Sequence, residues 1–373
     1  MDLMSPTVMF PQVKDLPELM RNHAHEFDWG ENGVRRALSP LEIQSANRIY
    51  VSGSGDSFHA ALAAEMAFEE IGHTPCEPSN GMTFTAYIAE TMPTPFPNDP
   101  LVVGISASGG SHRTIQLLEA AKANHANTLA LTGTPGSPVT QVAANTLAVT
   151  VPDMGRSPGI RTYHASLMGL LLLAIRFGEI KGHYPQEEAN TIRRELTDLA
   201  DLVEATIDRA DEPAQELAQM WKDSPMIMVV GSGPSYGTAM FSAAKVVEAA
   251  GVFAVAQDLE EWAHVERFCY PNDMPVYIVA PPGKSHWRAV EVAETAKSLG
   301  HRVAAVIHED DNEIGQYADV IFPVPGEVRE AFSPLVYHVA SNFFAAHIAQ
   351  ALGRACFQSD NRAFWDAPAA SAR

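Results

Sequence analysis

A run of small residues at 106–111, reading Ser-Ala-Ser-Gly-Gly-Ser, has the composition of an anion-binding loop. It falls between a predicted strand at 101–105 and a predicted helix at 112–124. Small side chains let the backbone approach a ligand, and the N–H groups at a helix N-terminus attract negative charge. The run therefore predicts a phosphate site, although serine and glycine also suit an ordinary cap and turn. The candidate ligands are Ser106, Ser108, Gly109 and Ser111.

A second group of residues has the types needed for proton transfer. Lys245 and Glu248 are three residues apart on one face of a helix predicted at 236–250, and Glu261 and His264 follow where the hydrophobic periodicity is lost. A carboxylate can remove a proton from a carbon next to a carbonyl, and histidine can change charge near neutral pH. The alternatives are a solvated ion pair on the helix surface and an inert histidine in a loop.

The two groups lie in different halves of a duplicated sequence. Residues 48–57 return as 226–235, and 101–105 return as 276–280, with offsets between 174 and 178. Where the first copy has the loop 106–111, the second reads Ala-Pro-Pro-Gly-Lys-Ser, and proline supplies no amide hydrogen. We therefore expect a tandem α/β duplication in which one copy keeps the anion site and the other has lost it.

A Gly-Ser-Gly turn follows the first strand of each copy, at 53–55 and 231–233. Because the turn recurs, it is interpreted as structural. Ser57, at the start of the next helix, could cap that helix, face the ligand or do both, and Asp56 could also act as the cap.

Strands alternate with helices in both copies, which predicts parallel sheets with right-handed crossovers and helices on both faces. Ligands bind at the carboxyl ends of such strands, where the motifs above fall. The predicted strands are 49–51, 101–105, 128–132 and 147–151, then 226–230, 276–280, 303–307 and 320–324. We divide the chain into a helical arm, a first α/β domain, a helical linker, a second α/β domain and a tail, at 1–45, 46–182, 183–218, 219–355 and 356–373.

Composition limits the partners. The 373 residues carry a formal net charge of −20, which disfavours nucleic acid as a partner. Three widely spaced cysteines without a CxxC motif indicate a reducing compartment and no structural metal. The N-terminus does not resemble a signal peptide, and the apolar run 167–175 is too short for a membrane span and fits a buried helix. We expect a cytoplasmic protein without a membrane partner.

The pattern resembles the sugar isomerase (SIS) domain family in its double-SIS form, over about residues 45–365. That form includes the isomerase half of glucosamine-6-phosphate synthase, the fructosamine-6-phosphate deglycases and the AgaS-type amino-sugar isomerases or deaminases. Residues 53–60 resemble the family's G-x-G-T-S-Y-x-A turn, 106–111 its S-x-S-G-x-T phosphate loop and 244–248 its K-x-x-E catalytic helix. The resemblance implies two tandem flavodoxin-like SIS domains, each a parallel sheet flanked by helices.

The resemblance also implies site roles. Glu248 would be the base that moves a proton between C1 and C2 or removes it in deglycation. His264, sixteen residues on, would be the acid/base that the neighbouring subunit commonly supplies. It further implies a phosphorylated sugar as substrate, a homodimer with sites at the subunit interface, and neither a cofactor nor a metal. The implied binding residues are Ser57, Ser106, Ser108, Gly109, Ser111, Thr162, Lys245 and Glu261.

The sequence departs from the family pattern at several places. Val265 replaces the glycine after the histidine, and the V-A-S-T segment reads Ile-Arg-Thr-Tyr at 160–163. Thr162 can replace a serine hydroxyl, whereas Arg161 and Tyr163 are larger and are expected to reshape the sugar pocket. The aligned tail has no lysine, and we expect no glutaminase domain before the repeat. We therefore expect a deglycase, a deaminase or an isomerase, and the alternative is a non-catalytic sugar-phosphate regulator.

Overall fold

A computed structural model describes residues 3–367. The predicted arm and tail extend beyond this range, so their residues 1–2 and 368–373 lie outside the described residues. The chain separates into two compact units. The first unit comprises residues 18–153 and 161–198, and the second comprises 3–17, 154–160 and 199–367. The domain boundaries drawn from the repeat stay a prediction.

Helices dominate the N-terminal segment and the region between the two sheets. After a 3-10 turn at Pro6–Val8, the segment forms α1 (Met9–Lys14), α2 (Leu16–Trp29), α3 (Val34–Ala37) and α4 (Pro40–Ser45). One long helix, α10 (Gln186–Trp221), runs through most of the predicted linker.

The first unit is built on a parallel sheet of five strands: β1 (Ile49–Gly53), β2 (Cys76–Asn80), β3 (Leu101–Ile105), β4 (Asn127–Thr132) and β5 (Asn145–Ala148). Their order, β2-β1-β3-β4-β5, is the flavodoxin-like order. The helices of this unit are α5 (Asp56–Glu70), α6 (Gly81–Thr83), which leads into a π-turn at Phe84–Ile88, α7 (His112–Ala123), α8 (Pro138–Val142) and α9 (Arg161–Ile180).

The second unit repeats this sheet with β6 (Met226–Val230), β7 (Phe253–Gln257), β8 (Pro275–Ala280), β9 (Arg302–His308) and β10 (Val320–Val324), in the order β10-β9-β8-β6-β7. Its helices are α11 (Pro234–Ala250), α12 (Leu259–His264), α13 (His286–Leu299), α14 (Asn312–Gly315), α15 (Pro334–Tyr337), α16 (Val339–Ala351) and α17 (Arg362–Asp366). Short 3-10 turns lie at Glu266–Phe268, Glu330–Phe332 and Cys356–Gln358. The predicted α/β fold with parallel sheets is confirmed in both units.

The sequence prediction missed one strand in each copy, β2 and β7. Both lie at an edge of their sheet. The sequence of β2 is Cys-Glu-Pro-Ser-Asn, in which proline and polar residues hide the strand signal. The sequence of β7 is Phe-Ala-Val-Ala-Gln, so this strand does carry an apolar run, which the prediction overlooked.

Matching backbone geometry at the first turn of both copies supports the duplication. Gly55 caps α5 with φ 57° and ψ −130°, and Gly233 caps α11 with φ 58° and ψ −132°. This region of positive φ favours glycine because it has no Cβ. The possibility that Ser57 or Asp56 caps the helix is therefore wrong, since both lie inside the first turn of α5.

The apolar run 167–175 lies within α9. By length and composition α9 could cross a bilayer, yet 83% of its most apolar window is buried inside the protein. That burial is typical of a core helix, as the sequence prediction had it. Apolar side chains also pack between each sheet and a flanking helix, among them Val102, Leu117 and Leu118 in the first unit and Ile278, Val292 and Ile307 in the second.

Candidate active site

The predicted phosphate loop, residues 106–111, connects β3 to the N-terminus of α7. Its three serine hydroxyls accept hydrogen bonds from backbone N–H groups, each at 3.4 Å. The Oγ of Ser106 accepts from the N–H of Ser111, and the Oγ of Ser108 accepts from the N–H of Gly110. The Oγ of Ser111 accepts from the N–H of Thr114. Because each hydroxyl acts as the acceptor in these long bonds, its O–H group can still donate to a bound anion. The geometry thus fits the predicted role.

A second loop holds the phosphate loop in shape from behind. The N–H of Val139 donates to the carbonyl of Gly109, and the N–H of Gly133 donates to that of Ala107, both at 3.1 Å. Gly109 has φ 69°, and a Cβ added there would lie 1.9 Å from the Oγ of Ser137. Only glycine therefore fits at Gly109 without movement of the backing loop.

The equivalent place in the second copy already contains an anion. The carboxylate of Glu330 accepts the N–H of Lys284 at 3.0 Å. A Cβ added to Gly283 would lie 2.3 Å from this carboxylate carbon, so the side chain sits directly against the loop. The protein's own carboxylate therefore takes the place at the start of α13 that corresponds to the phosphate loop of the first copy.

Lys245 and Glu248 form a close pair on α11, which packs against α16. The Nζ of Lys245 lies 2.5 Å from an Oε of Glu248. The lysine side chain is fully buried, whereas 29% of the glutamate side chain is exposed. The ring of Phe241 lies beside the ammonium, 4.8 Å from Nζ to the ring centroid. The alternative of a solvated surface pair is therefore wrong.

His264 is the last residue of the short helix α12 and does not lie in a loop, as the sequence had suggested. Its side chain is 66% exposed, and its Nε2 lies 2.8 Å from a carboxylate oxygen of Glu260. Glu261 is also exposed. The sequence does contain a signal for this helix. Asp258 is its N-cap, and the side chain accepts the N–H of Glu260.

The remaining predicted ligands lie at helix starts in the first unit. Ser57 is the second residue of α5 and is half-buried, and Thr162 is the second residue of α9 and is exposed. The neighbours of Thr162 are both buried, and Nη1 of Arg161 donates to the carbonyl of Pro152 at 2.5 Å. Arg161 and Tyr163 therefore pack inside the first unit, while Thr162 can face a ligand.

Sequence reasoning missed the turn Cys356–Gln358, which packs against α11. Burial raises the pKa of the Cys356 thiol to about 11, and the negative charge of Glu248 adds to this shift. Glu248 thus has a neighbour from the C-terminal segment. No sequence signal marks the turn, since Phe357 and Gln358 adopt positive φ without being glycine. Across residues 3–367, no group of three or more His, Cys, Asp or Glu side chains is arranged to hold a metal ion.

Comparison with known proteins adds independent information. Residues 42–176 match the SIS domain model. The glutamine–fructose-6-phosphate aminotransferase (isomerizing) of Thermococcus kodakarensis is 27% identical over 92% of the chain and 55% of its own length. The chain thus spans about half the length of the curated relatives it matches.

Solved structures share the fold at lower identity. The C-terminal domain of glucosamine-fructose-6-phosphate aminotransferase from Francisella tularensis has a TM-score of 0.79 at 16% identity and covers 93% of this chain and 96% of that one. Glucosamine-6-phosphate deaminase from Thermotoga maritima has a TM-score of 0.67 at 15% identity and covers 93% of this chain and 95% of that one. These likenesses support the fold described above, in which each unit is a flavodoxin-like α/β domain.

Proposed function

We propose that the chain is a phosphosugar isomerase, deglycase or deaminase, because residues 42–176 match the SIS domain and both units contain the same flavodoxin-like sheet. Its substrate would be an amino-sugar or fructosamine phosphate. The observation that carries this proposal is the pair of Lys245 and Glu248, a half-buried carboxylate held by a fully buried ammonium. A buried lysine is costly unless it is paired, so the arrangement is more than a surface salt bridge.

In the proposed reaction, the carboxylate of Glu248 removes a proton from C1 of an open-chain ketosamine phosphate while the C2 carbonyl oxygen gains one. The resulting enaminol is protonated at C2, which leaves an imine between C1 and the nitrogen. Water adds to C1, the C1–N bond breaks, and an aldose phosphate and an amine are released. Protons move and water is consumed without net oxidation, so the reaction needs no redox partner.

The ammonium of Lys245 keeps the carboxylate of Glu248 in one orientation for proton removal. His264 is the proposed acid that protonates the departing nitrogen, and Glu261 stays a candidate binding residue. Holding the phosphate on the loop 106–111, with Ser57 and Thr162, would orient the reacting carbon through remote contacts.

The homodimer and its shared site are part of this proposal. The exposed position of His264 suits a residue supplied to a neighbouring subunit. Exposed apolar side chains follow it along the chain, namely Val265, Phe268 and Tyr270. Such a group is typical of a surface that a second protein copy covers. The cytoplasmic location and the lack of a nucleic-acid or membrane partner also stay predictions.

Substitution of Glu248 by Gln tests the proposed base. We expect kcat to fall by ~100- to 10,000-fold, the usual contribution of a general base, with little change in ligand affinity. Glu294→Gln is the matched control, because Glu294 is exposed on α13 of the same unit. Turnover that survives in Glu248→Gln would show that Glu248 is not the base.

A non-catalytic sugar-phosphate regulator is the second candidate function. It would bind the same phosphorylated ligands but turn none of them over. A panel of amino-sugar and fructosamine phosphates that stabilise the protein without any product formation would favour the regulator over the enzyme.

A further inference from the structure

Two polar side chains, His338 and Asn342, are buried in the mostly apolar layer that packs against α11. His338 lies between α15 and α16, and Asn342 lies on the first turn of α16. Neither residue is exposed, and the Oδ1 of Asn342 has no hydrogen-bond partner among residues 3–367. Burying polar groups costs stability, so such a pair calls for an explanation. The proton transfer described above does not yet use it.

Three hydrogen bonds fix the position of His338. Its carbonyl accepts from the hydroxyl of Ser341 and from the side-chain amide of Asn342, both at 2.8 Å. The same amide nitrogen lies 3.0 Å from Nδ1 of the imidazole. Because an amide nitrogen only donates, Nδ1 is the acceptor and the ring hydrogen is on Nε2. Asn342 therefore holds the imidazole of His338 in its neutral form.

The imidazole of His338 packs edge-to-face with the ring of Phe241 on α11. The two ring centroids are 5.3 Å apart and the ring planes meet at 84°. This arrangement is favourable because the positive edge of one ring meets the negative face of the other. Phe241 is fully buried, so its ring is also confined by close packing. The fixed histidine thus helps to fix the plane of the phenylalanine ring.

Phe241 lies one helical turn before Lys245, on the same side of α11. The Nζ of Lys245 is 4.8 Å from the centroid of the ring, within the range of a cation–π contact. That attraction is strongest where water is excluded, and the lysine side chain is fully buried. Since the imidazole of His338 is neutral, it adds no positive charge that would repel the ammonium. The ring therefore stabilises the ammonium where it meets Glu248.

We propose that Phe241 is a positioning residue for the proton transfer. Its ring keeps the ammonium of Lys245 against the carboxylate of Glu248, and His338 keeps the ring in place. A lysine side chain is long and flexible, so its contact with a carboxylate is reproducible only where something restrains the ammonium. The inference rests on the proposed function, because the ring acts only through Lys245 and Glu248. Phe241 does not touch the substrate in this scheme, so its loss should change kcat and not KM.

Phe241→Leu removes the ring and leaves an apolar side chain. Turnover is measured with the amino-sugar or fructosamine phosphate that the wild type converts. We expect kcat to fall by ~10- to 30-fold, the factor that a cation–π contact away from water is worth, with KM nearly unchanged. Phe344→Leu is the matched control, because Phe344 is a buried residue of α16 whose ring packs against Trp221 and Tyr277. It should lower stability and leave kcat near the wild-type value.

Fluorinated phenylalanine separates the attraction from the packing. Each fluorine draws electron density from the face of the ring and weakens its attraction for a cation, while the shape of the side chain changes little. With one, two or three fluorines on the ring of Phe241, log kcat should fall stepwise. The same series at Phe344 should leave kcat unchanged. These variants also decide the question if Phe241→Leu does not fold.

A stepwise fall for Phe241 beside a flat series for Phe344 supports the inference. If kcat does not depend on the number of fluorines at Phe241, the inference is overturned, while Glu248→Gln still decides the proposed base by itself. Equal decreases in the two series would assign the effect to packing and would also overturn it. If Glu248→Gln turns over the substrate as the wild type does, the proposed function fails, whatever the ring of Phe241 does.

Discussion

Gly109→Ala is the substitution that most directly tests the phosphate loop. The methyl group would enter a backbone conformation with φ 69° and would lie 1.9 Å from the Oγ of Ser137. The left-handed conformation costs roughly 1–2 kcal/mol for alanine. Overlap with a packed neighbour adds roughly 1–3 kcal/mol. If the loop avoids this cost by leaving its present shape, phosphate affinity should fall by ~30-fold or more, since ~2 kcal/mol corresponds to that factor.

The assay is thermal unfolding with fructose 6-phosphate, with inorganic phosphate and with unphosphorylated fructose. A ligand at about 100 times its Kd stabilises the wild type by ~2.7 kcal/mol, which is a shift of roughly 5–10 °C for a unit of this size. Gly109→Ala, with affinity lowered ~30-fold or more, should keep at most about a third of this shift. Gly110→Ala should keep it, because a Cβ at Gly110 meets no atom within 4 Å.

A double variant separates the two costs. Ser137→Gly removes the side chain that the new methyl group would strike, so Gly109→Ala combined with Ser137→Gly should regain part of the affinity. If Gly109→Ala binds phosphate as tightly as the wild type does, the loop is not the anion site. If both single variants lose binding equally, the argument from the left-handed glycine is refuted.

Two further predictions concern stability. Glu330→Ala leaves the N–H of Lys284 without its acceptor, so the free energy of unfolding of the second unit should fall by ~1–3 kcal/mol in urea titrations; unchanged stability would contradict the role given to Glu330. Burial lowers the pKa of His164 to about 3, so between pH 6.5 and pH 3 the unfolded chain binds a proton that the folded chain does not. Stability should therefore fall by ~1.4 kcal/mol per pH unit below pH 6.5. His164→Gln should flatten this slope relative to the exposed control His125→Gln, and parallel slopes in the two variants would exclude His164 as its source.

The parallel fold was predictable because central strands are buried on both faces and form continuous apolar runs. The strand Leu101–Ile105 was predicted with its observed bounds for this reason. The edge strand Cys76–Asn80 was not predicted, because its sequence, Cys-Glu-Pro-Ser-Asn, contains no such run. The edge strand Phe253–Gln257 does begin with an apolar run, Phe-Ala-Val-Ala, and the sequence analysis missed it.

The candidate site was predictable where residue types alone carry the chemistry, as in the serines and glycines of the loop 106–111. It was not predictable where contacts between residues far apart in the sequence determine the geometry. The need for glycine at Gly109 comes from Ser137, on the backing loop. The burial of Lys245 comes from the packing of α11 against α16, which is remote in sequence. A local sequence pattern reports only on residues that are close in the chain, so it does not distinguish an ion pair on the surface from a buried one.

The two copies differ at the loop that precedes α7 in the first copy and α13 in the second. Both copies keep the same glycine turn, at Gly55 and Gly233, with nearly identical backbone angles. The start of the helix after the next strand, α7 in the first copy and α13 in the second, differs between the copies. Its N–H groups can be satisfied by a bound anion or by the protein itself. In the second copy Glu330 supplies the anion permanently to Lys284. The start of α13 is then satisfied without a ligand, so the second copy needs no phosphate at this place.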